Sequence, residues 1–277
     1  MAKLDGNSTR DGVSEDRVKT NGQVFTPDST VNDMLNETDK KIAEYFGVNT
    51  VEEVSDSDYI DYIVLEPTCG NGNFIIRLLD RKLSRVNKLT GNEREIALLR
   101  AVASIYGIEL TAENVIATKL RMMEVIEKGS TEIFELEYKT KEGFSTTGFE
   151  LDENMKKSIH YILDRNIQCG NSLTFKKFLI WKSSYIHDIW TLNINRLNIA
   201  DALFRTTEKE SELVMTQYDF SNELVALRER TYKNIHETKE EYINTSNYVN
   251  YKEIYSLASV EIFEDDSVDD NDDEFDF

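Results

Sequence analysis

The residues best suited to hold a small ligand lie at positions 65–74 of the chain, LEPTCGNGNF. An apolar run ends there in an acid, Glu66, and two glycines, Gly70 and Gly72, follow closely. In a parallel sheet, ligands bind beyond the carboxyl ends of the strands, where a glycine turn lets the backbone approach them. The stretch therefore predicts a strand, a ligand-binding turn and a helix. The simpler alternative is an ordinary tight turn.

A second acid, Glu109, closes the apolar run IYGIEL at positions 105–110. Its carboxylate can accept hydrogen bonds from both ribose hydroxyls of a nucleoside. The spacing from Gly72 to Glu109 exceeds the roughly 20 residues of dinucleotide-binding sequences, and the third glycine that such sequences use for a pyrophosphate is missing. We therefore expect a nucleoside ligand without a pyrophosphate, such as S-adenosylmethionine.

Helical and strand patterns alternate around these residues. The expected elements are a helix after Pro27, a second helical piece over 40–48, a strand before the glycine loop and an amphipathic helix after it, a helix over 92–104, a strand over 105–110, a helix over 112–129 with Thr111 as its cap, a hairpin over 130–152, a helix over 153–165 and a strand within 166–173. This alternation predicts an α/β fold whose parallel sheet is joined by crossover helices.

The overall composition limits the classes of partner. A formal net charge of −20 argues against a general affinity for nucleic acid, because phosphate contacts require clustered lysine and arginine. No apolar run approaches the ~20 residues of a membrane span. Two cysteines, Cys69 and Cys169, provide no disulfide framework and no metal-binding spacing. We therefore expect a cytoplasmic protein with no membrane partner, whose DNA binding is weak or depends on a partner.

Four stretches of the chain resemble, in this order, four motifs of the N6-adenine DNA methyltransferases: GQVFTP (22–27), LEPTCGNGNF (65–74), IYGIEL (105–110) and IQCGNSL (167–173). The order is similar to that of type I modification subunits and many type II enzymes, in which a Phe-x-Thr-Pro-type motif precedes the glycine loop. The resemblance covers about residues 20–175. It implies a class I S-adenosylmethionine-dependent methyltransferase fold, a Rossmann-like sheet.

The resemblance also implies a cofactor site. Its residues are Phe25, Thr26, Pro27, Glu66, Pro67, Cys69, Gly70, Gly72, Phe74, Glu109, Leu110, Asn171 and Ser172. Phe25, Thr26 and Pro27 would close over the methionine end of S-adenosylmethionine. The loop Glu66–Phe74 would hold its carboxylate and sulfonium region, and Glu109 would bind its ribose. Asn171 stands where the family has an acid that contacts the adenine amino group. Its amide oxygen can accept the same hydrogen bond without the assistance of charge.

The family's catalytic motif is missing. N6-adenine methylation uses an Asn/Asp-Pro-Pro-aromatic loop, whose oxygens accept from the amine of a flipped base and whose ring stacks on it. This chain has no proline after Pro67. The polar and aromatic substitutes that follow the fourth motif are Asp188, Trp190, Asn193 and Asn195. The catalytic residues therefore stay unknown.

Beyond residue 176 the periodicity weakens. The resulting division is a flexible segment 1–19, a methyltransferase-like domain 20–200 with one more strand at 187–197, a helical region 201–260 with a charged amphipathic helix over 223–243, and a disordered acidic tail 261–277. Residues 176–260 are too few to complete the sheet and also form a recognition domain. The sequence thus predicts an S-adenosylmethionine-binding, adenine methyltransferase-like protein that is either divergent, with an unrecognised substitute for the missing loop, or part of a split enzyme in which a partner supplies catalytic or recognition elements. The alternative is a non-catalytic acidic homologue that binds a restriction–modification or replication partner.

Overall fold

The computed structural model describes Thr26 and the residue ranges 28–129, 147–173, 176–180, 206–232, 241–245 and 248–260. Several predictions lie outside these residues: the roles of Phe25 and Pro27, the strand at 187–197 and the acidic tail 261–277. Most of the hairpin predicted over 130–152 also lies outside them, and its described end, 147–152, forms no strand.

The first part of the chain alternates helices and strands as predicted. Its elements are α1 (Asp28–Phe46), α2 (Asp56–Asp61), β1 (Val64–Glu66), α3 (Asn73–Val86), α4 (Gly91–Ala103), β2 (Ile105–Glu109), α5 (Ala112–Lys128), α6 (Glu153–Asn166) and β3 (Ile167–Asn171). The two helical pieces expected between Pro27 and residue 48 form one continuous helix, α1. A 3-10 turn, Val51–Glu53, separates α1 from α2.

Apolar periodicity and capping explain these helices. Helix α3 buries Ile75, Leu78, Leu79 and Leu83, which recur at three- and four-residue spacing and therefore share one face. Asp152 begins α6 by accepting a 2.8 Å hydrogen bond from the Met155 amide, the N-cap arrangement that such residues favour. The buried faces of α3 to α6 join the parallel strands in one hydrophobic core.

Three strands form the predicted parallel sheet in the order β1-β2-β3. Leu65 is paired with Tyr106 across the first ladder, and Ile108 with Gln168 across the second. All five residues of β2 are buried, as expected for the central strand of a parallel sheet that is covered on both faces.

The described residues up to 250 contradict the predicted amphipathic helix over 223–243 and the helical region predicted over 201–260, because they form strands. The chain continues as β4 (Lys176–Ile180), β5 (Thr206–Ser221), β6 (Leu224–Tyr232), β7 (Glu241–Thr245) and β8 (Val249–Asn250), followed by a 3-10 segment, Tyr251–Val260. These strands extend the sheet from β3 with antiparallel pairing throughout. The long β5–β6 ladder runs from Leu213–Tyr232 to Ser221–Leu224, and Asn222 adopts φ 53° at its turn.

The β5–β6 hairpin is tied to the parallel half by two tyrosines. Tyr106 Oη of β2 donates a 2.5 Å hydrogen bond to the Thr216 carbonyl, and Tyr218 Oη donates to Asn166 Oδ1 at 3.1 Å. Val225 and Leu227 of β6 belong to the same core as the helices. In the part of the chain that the structure describes, no helix is long and apolar enough to cross a membrane.

Candidate functional site

The polar residues predicted to hold a ligand meet at the carboxyl edge of the parallel strands. Glu66 ends β1, Glu109 ends β2 and Asn171 ends β3. The registers place Glu66 beside Gly107, and Glu109 beside Cys169. The glycine loop, residues 67–72, therefore leaves the sheet at the edge where parallel α/β sheets bind ligands.

Two glycines give the loop its path. Gly70 has φ 54° and Gly72 has φ 88°, backbone conformations that residues with a Cβ rarely adopt. At Gly72 an added Cβ would lie 2.7 Å from Thr118 Cγ2 of α5. The Cys69 amide donates to the Ile108 carbonyl at 2.9 Å, which holds the loop against the end of β2. The loop therefore requires glycine at position 72, and at position 70 it has a positive φ that glycine favours.

Glu109 organises the loop through both of its carboxylate oxygens. Oε2 accepts a 2.9 Å hydrogen bond from the Gly70 amide. Oε1 accepts from the Thr111 amide, the Thr111 hydroxyl and Asn114 Nδ2, each at 3.1 Å. The side chain is only 8% exposed. A carboxylate oxygen has two lone pairs, so Oε2 retains the capacity to accept one further bond, for example from a ligand hydroxyl.

Thr111 is the N-cap residue of α5, as predicted, but its side chain bonds to a different partner than a capping residue does. It has extended backbone angles, and its side chain makes no capping bond to the helix. Its hydroxyl instead donates to Glu109, which draws the start of α5 to the end of β2. The acid at the strand end therefore connects the loop and the next helix.

A polar stripe on α5 supports the loop from the other side. Asn114, Thr118 and Arg121 recur at spacings of four and three and so share one helix face. Thr118 Oγ1 donates to the Gly70 carbonyl at 3.2 Å, and Arg121 Nη1 donates to the Asn71 carbonyl at 2.7 Å. Their contact with the loop was not predicted from the sequence, although their spacing on one face of α5 was a signal for it.

The Phe-x-Thr-Pro motif is represented by Thr26, whose carbonyl accepts a 3.2 Å hydrogen bond from Asn73 Nδ2. Asn73 Oδ1 accepts in turn from Arg121 Nη1 at 2.9 Å. Thr26 therefore lies against the start of α3, beside the glycine loop, although 47 residues separate it from Asn73. The first and second motifs are brought together, as their predicted shared role requires.

Asn171 and Leu110 lie at the carboxyl ends of β3 and β2, where the site borders on solvent. Asn171 Oδ1 accepts a 2.9 Å hydrogen bond from the Leu173 amide, so the oxygen predicted to receive an adenine amino group also closes its own turn. Leu110 is about half exposed, and Ser172 and Phe74 are partly buried. Pro67 is exposed, and Glu66 beside it accepts from the Thr68 amide and hydroxyl.

Both cysteines are packed rather than reactive. Burial raises the pKa of the Cys69 thiol far above its usual range and raises that of Cys169 to about 11. The negative charge of Glu109 adds to both shifts. Cys169 Sγ donates to the Leu110 carbonyl at 3.5 Å. Since the thiolate is the nucleophile, neither side chain is suited to covalent catalysis at neutral pH.

The predicted catalytic substitutes, Asp188, Trp190, Asn193 and Asn195, lie outside the described residues. Within the described ranges, no group of histidine, cysteine and carboxylate side chains is arranged to hold a metal ion. Comparisons with protein-family models, with curated proteins and with solved structures found no match. The methyltransferase resemblance therefore stays a prediction.

Proposed function

We propose that the carboxyl edge of the parallel strands binds S-adenosylmethionine. The observation that carries the proposal is the bond between the Gly70 amide and Glu109 Oε2, which joins a positive-φ glycine loop to the acid at the end of the neighbouring strand. This arrangement leaves one Oε2 lone pair for a ribose hydroxyl. It also lets a ligand approach the backbone of the glycine turn closely.

The charges of the edge suit this cofactor. S-adenosylmethionine carries a sulfonium, an ammonium and a carboxylate, so its net charge is positive. Glu66 and Glu109 offer two carboxylates at the edge, and Arg121 offers a cation at the loop. Opposite charges at close range favour binding, most strongly where solvent is excluded. Asn171 would accept from the adenine amino group, in competition with its own turn.

The proposed wider function is that of an N6-adenine DNA methyltransferase-like subunit. When bound, S-adenosylmethionine supplies an electrophilic methyl group. This chain's own residues would bind and orient the cofactor, while a partner would supply the acceptors that orient the adenine amine. The reason is the sequence itself, which has no proline after Pro67 and so no Asn-Pro-Pro-aromatic loop. Preorganised acceptors of this kind lower a reaction barrier by several kcal/mol.

Calorimetry on the full chain tests cofactor binding. We expect S-adenosylmethionine to bind more tightly than S-adenosylhomocysteine, which lacks the sulfonium charge, and Glu66→Gln to reduce this difference. Glu52→Gln, in the separate 3-10 turn, is the matched control. A Gly72→Asp variant is less informative, because its side chain would meet Thr118 and disturb folding. Absence of binding to the folded wild-type protein would refute the proposal.

A second candidate is a non-catalytic acidic protein that binds a restriction–modification or replication partner. It is favoured by the antiparallel pairing of the strands described after β3. Transfer of labelled methyl groups to duplex DNA separates the two functions. We expect little transfer by the isolated chain under the first proposal and restoration by a partner. If the chain binds the cofactor but transfers no methyl group to DNA with any partner it binds, the non-catalytic function is favoured.

A further inference from the structure

Arg121 of α5 contacts the glycine loop and the start of α3 through a single nitrogen atom. Nη1 donates to the Asn71 carbonyl at 2.7 Å and to Asn73 Oδ1 at 2.9 Å. Gly72, with φ 88°, lies between these two acceptors, so its left-handed turn brings both oxygens to one guanidinium. The two hydrogens of Nη1 therefore hold two different parts of the proposed cofactor site.

The guanidinium fixes the orientation of the Asn73 amide. A guanidinium has only hydrogen-bond donors, so it must meet the amide oxygen, and the amide nitrogen is then directed elsewhere. That nitrogen, Nδ2, donates to the Thr26 carbonyl at 3.2 Å. Reversing the amide would set its NH₂ group against the guanidinium and its oxygen against the Thr26 carbonyl, which are two repulsive contacts. Arg121 thus determines that Asn73 presents a donor to Thr26.

The two side chains that hold Thr26 start from well-packed helices. Asn73 is the first residue of α3 and is only 9% exposed. Arg121 lies within α5 and is followed by Met122, which belongs to the same hydrophobic core as Ile75 of α3. A hydrogen bond shielded from water is stronger than an exposed one. Thr26 is therefore anchored to a part of the molecule that the core keeps in place.

This anchoring concerns only one half of the proposed ligand. In the proposed function, Thr26 and the glycine loop lie at the methionine end of S-adenosylmethionine, whereas Glu109 binds its ribose. A group that is already positioned before the ligand arrives loses less conformational freedom on binding, and the affinity is higher for that reason. The bonds made by Arg121 and Asn73 should therefore favour ligands that carry the amino-acid part.

We propose that Arg121 and Asn73 are positioning residues, which hold Thr26 beside the glycine loop and thereby set the affinity for the amino-acid part of the ligand and not for its nucleoside part. Neither side chain has to touch the ligand. The effect on affinity rests on the proposed cofactor function, whereas the anchoring of Thr26 follows from the hydrogen bonds alone.

Two variants of Asn73 separate positioning from stability and from charge. Asn73→Asp keeps an oxygen toward Arg121 and places an acid in the first turn of α3, which favours the helix, but it has no donor for Thr26. Asn73→Leu removes the same donor without changing the charge. In calorimetry on the full chain we expect each to weaken S-adenosylmethionine binding about fivefold or more, as the loss of one hydrogen bond implies.

Two variants of Arg121 test the guanidinium. Arg121→Met removes the donors and should weaken binding as much as the Asn73 variants do. Arg121→Lys keeps the charge and an ammonium donor, so it should retain part of the affinity. Lys128→Met is the matched control, because it removes a cation from the last turn of the same helix, where the side chain is about half exposed. Its affinity should equal that of the wild type.

A pair of uncharged thioethers shows which half of the ligand is affected. S-adenosylhomocysteine and methylthioadenosine share the nucleoside, and only the first carries the amino-acid part. In the Asn73 and Arg121 variants we expect the affinity for S-adenosylhomocysteine to fall about fivefold or more. The affinity for methylthioadenosine should stay within about twofold of the wild type, because substitutions at independent sites have nearly independent effects. General damage to the site would weaken both ligands equally.

A nitroxide at position 26 tests the anchoring without any ligand. Thr26→Cys supplies the attachment point, and both native cysteines are buried. In electron paramagnetic resonance the label should be immobilised on the otherwise native chain and should gain mobility when Asn73→Leu or Arg121→Met is added. Lys128→Met should leave the spectrum unchanged.

The outcomes distinguish this inference from the cofactor proposal. Unchanged label mobility in the Asn73 and Arg121 variants would overturn the anchoring. Equal losses for the two thioethers, or a loss in Asn73→Asp that is absent in Asn73→Leu, would overturn the selective effect on affinity. If folded wild-type protein binds none of the three ligands, the cofactor proposal fails and the effect on affinity with it, while the label still decides the anchoring. Urea unfolding identifies any variant that does not fold, and Asn73→Asp should be at least as stable as the wild type.

Discussion

The Gly70 amide and the Glu109 carboxylate, 39 residues apart in sequence, are joined by a 2.9 Å hydrogen bond. The same carboxylate also holds the start of α5 through Thr111 and Asn114. One buried side chain thus fixes the glycine loop, the end of β2 and the next helix. A substitution of Glu109 should therefore affect stability as well as ligand binding.

Replacing Glu109 with Gln should lower the free energy of unfolding by about 1–3 kcal/mol, because an NH₂ group would face donors that now meet a carboxylate. Urea denaturation measures this loss, and calorimetry with S-adenosylmethionine measures the loss of affinity. Glu66→Gln is the control, since Glu66 is partly exposed and bonds only locally to Thr68. Equal stability losses in the two variants would contradict the organising role of Glu109.

The Gly72→Ala variant should be destabilised more than Gly47→Ala. Both glycines have positive φ, 88° and 69°, so both variants carry the backbone strain of about 1–2 kcal/mol. Of these two positions, only Gly72 would bring the added Cβ against other atoms, Thr118 Cγ2 at 2.7 Å and Thr118 Oγ1 at 2.9 Å, whereas nothing lies within 4 Å at Gly47. Adding Thr118→Ser to Gly72→Ala should recover part of the loss, because serine keeps the hydroxyl and lacks that methyl group. Thermal or urea unfolding of the three variants checks the order.

Lys82 stabilises the end of α2 from inside the core. The side chain is fully buried and Nζ donates to the carbonyls of Tyr59, Ile60 and Tyr62 at 3.0, 2.8 and 2.7 Å. In Lys82→Met the Ile60 carbonyl still accepts from the Ser104 hydroxyl, whereas the carbonyls of Tyr59 and Tyr62 lose the donor that Lys82 provides. Below about pH 7, where the ammonium supplies all three donors, we expect a loss of about 2–4 kcal/mol in urea denaturation. Lys88→Met, at a residue about half exposed, should change stability by less than about 1 kcal/mol.

Lys82 should also give stability a specific pH dependence. Burial lowers the pKa of its ammonium from the ordinary 10.5 to about 7. Between these values the unfolded chain binds the proton and the folded chain does not, so the contribution of Lys82 to the free energy of unfolding rises with pH, by up to about 1.4 kcal/mol per unit. Below about pH 7 both states are protonated and this contribution stays constant. The difference between wild type and Lys82→Met, measured from pH 6 to 10, isolates it; a flat difference would contradict the assignment.

The two cysteines should resist alkylation in the folded protein. Burial raises the pKa of both thiols, so the reactive thiolate is scarce at pH 8. Iodoacetamide should label neither Cys69 nor Cys169 in native buffer and both in urea, as mass spectrometry can establish. Faster labelling of Cys69 without urea would indicate that the glycine loop opens readily.

The sequence was sufficient for the parallel half because the local signals and the packing agree there. A strand, a turn and a helix are indicated by the apolar run of β2, by Gly70 and Gly72 and by the apolar face of α3. The structure agrees with each signal, since β2 is buried, both glycines have positive φ and the apolar face of α3 lies in the core. The polar stripe on α5 was missed because its contacts with the loop join residues 48 and 50 positions apart. Only the fold brings such residues together.

The strands beyond residue 206 could not be predicted from charge periodicity. The charged residues of LVALRERTY suit one face of a helix, yet the segment forms nine paired positions with β5 and buries Val225 and Leu227 in the core. Strand preference depends on such neighbours more than on the residues themselves. A local signal was the alternation in β5, where Tyr218 and Phe220 flank the polar Asp219.

The hydrogen bond from Tyr106 to the Thr216 carbonyl spans 110 positions in the chain, and this has a consequence during synthesis on the ribosome. Chains are made at roughly 5–20 residues per second, and N-terminal units fold first. The parallel strands are complete at Asn171, whereas β6 ends about 60 residues later, so the nascent half-sheet waits on the order of several seconds for the hairpin that covers Tyr106. In that interval the nascent chain presents an uncovered apolar surface, and chaperones that bind such surfaces have their main opportunity there.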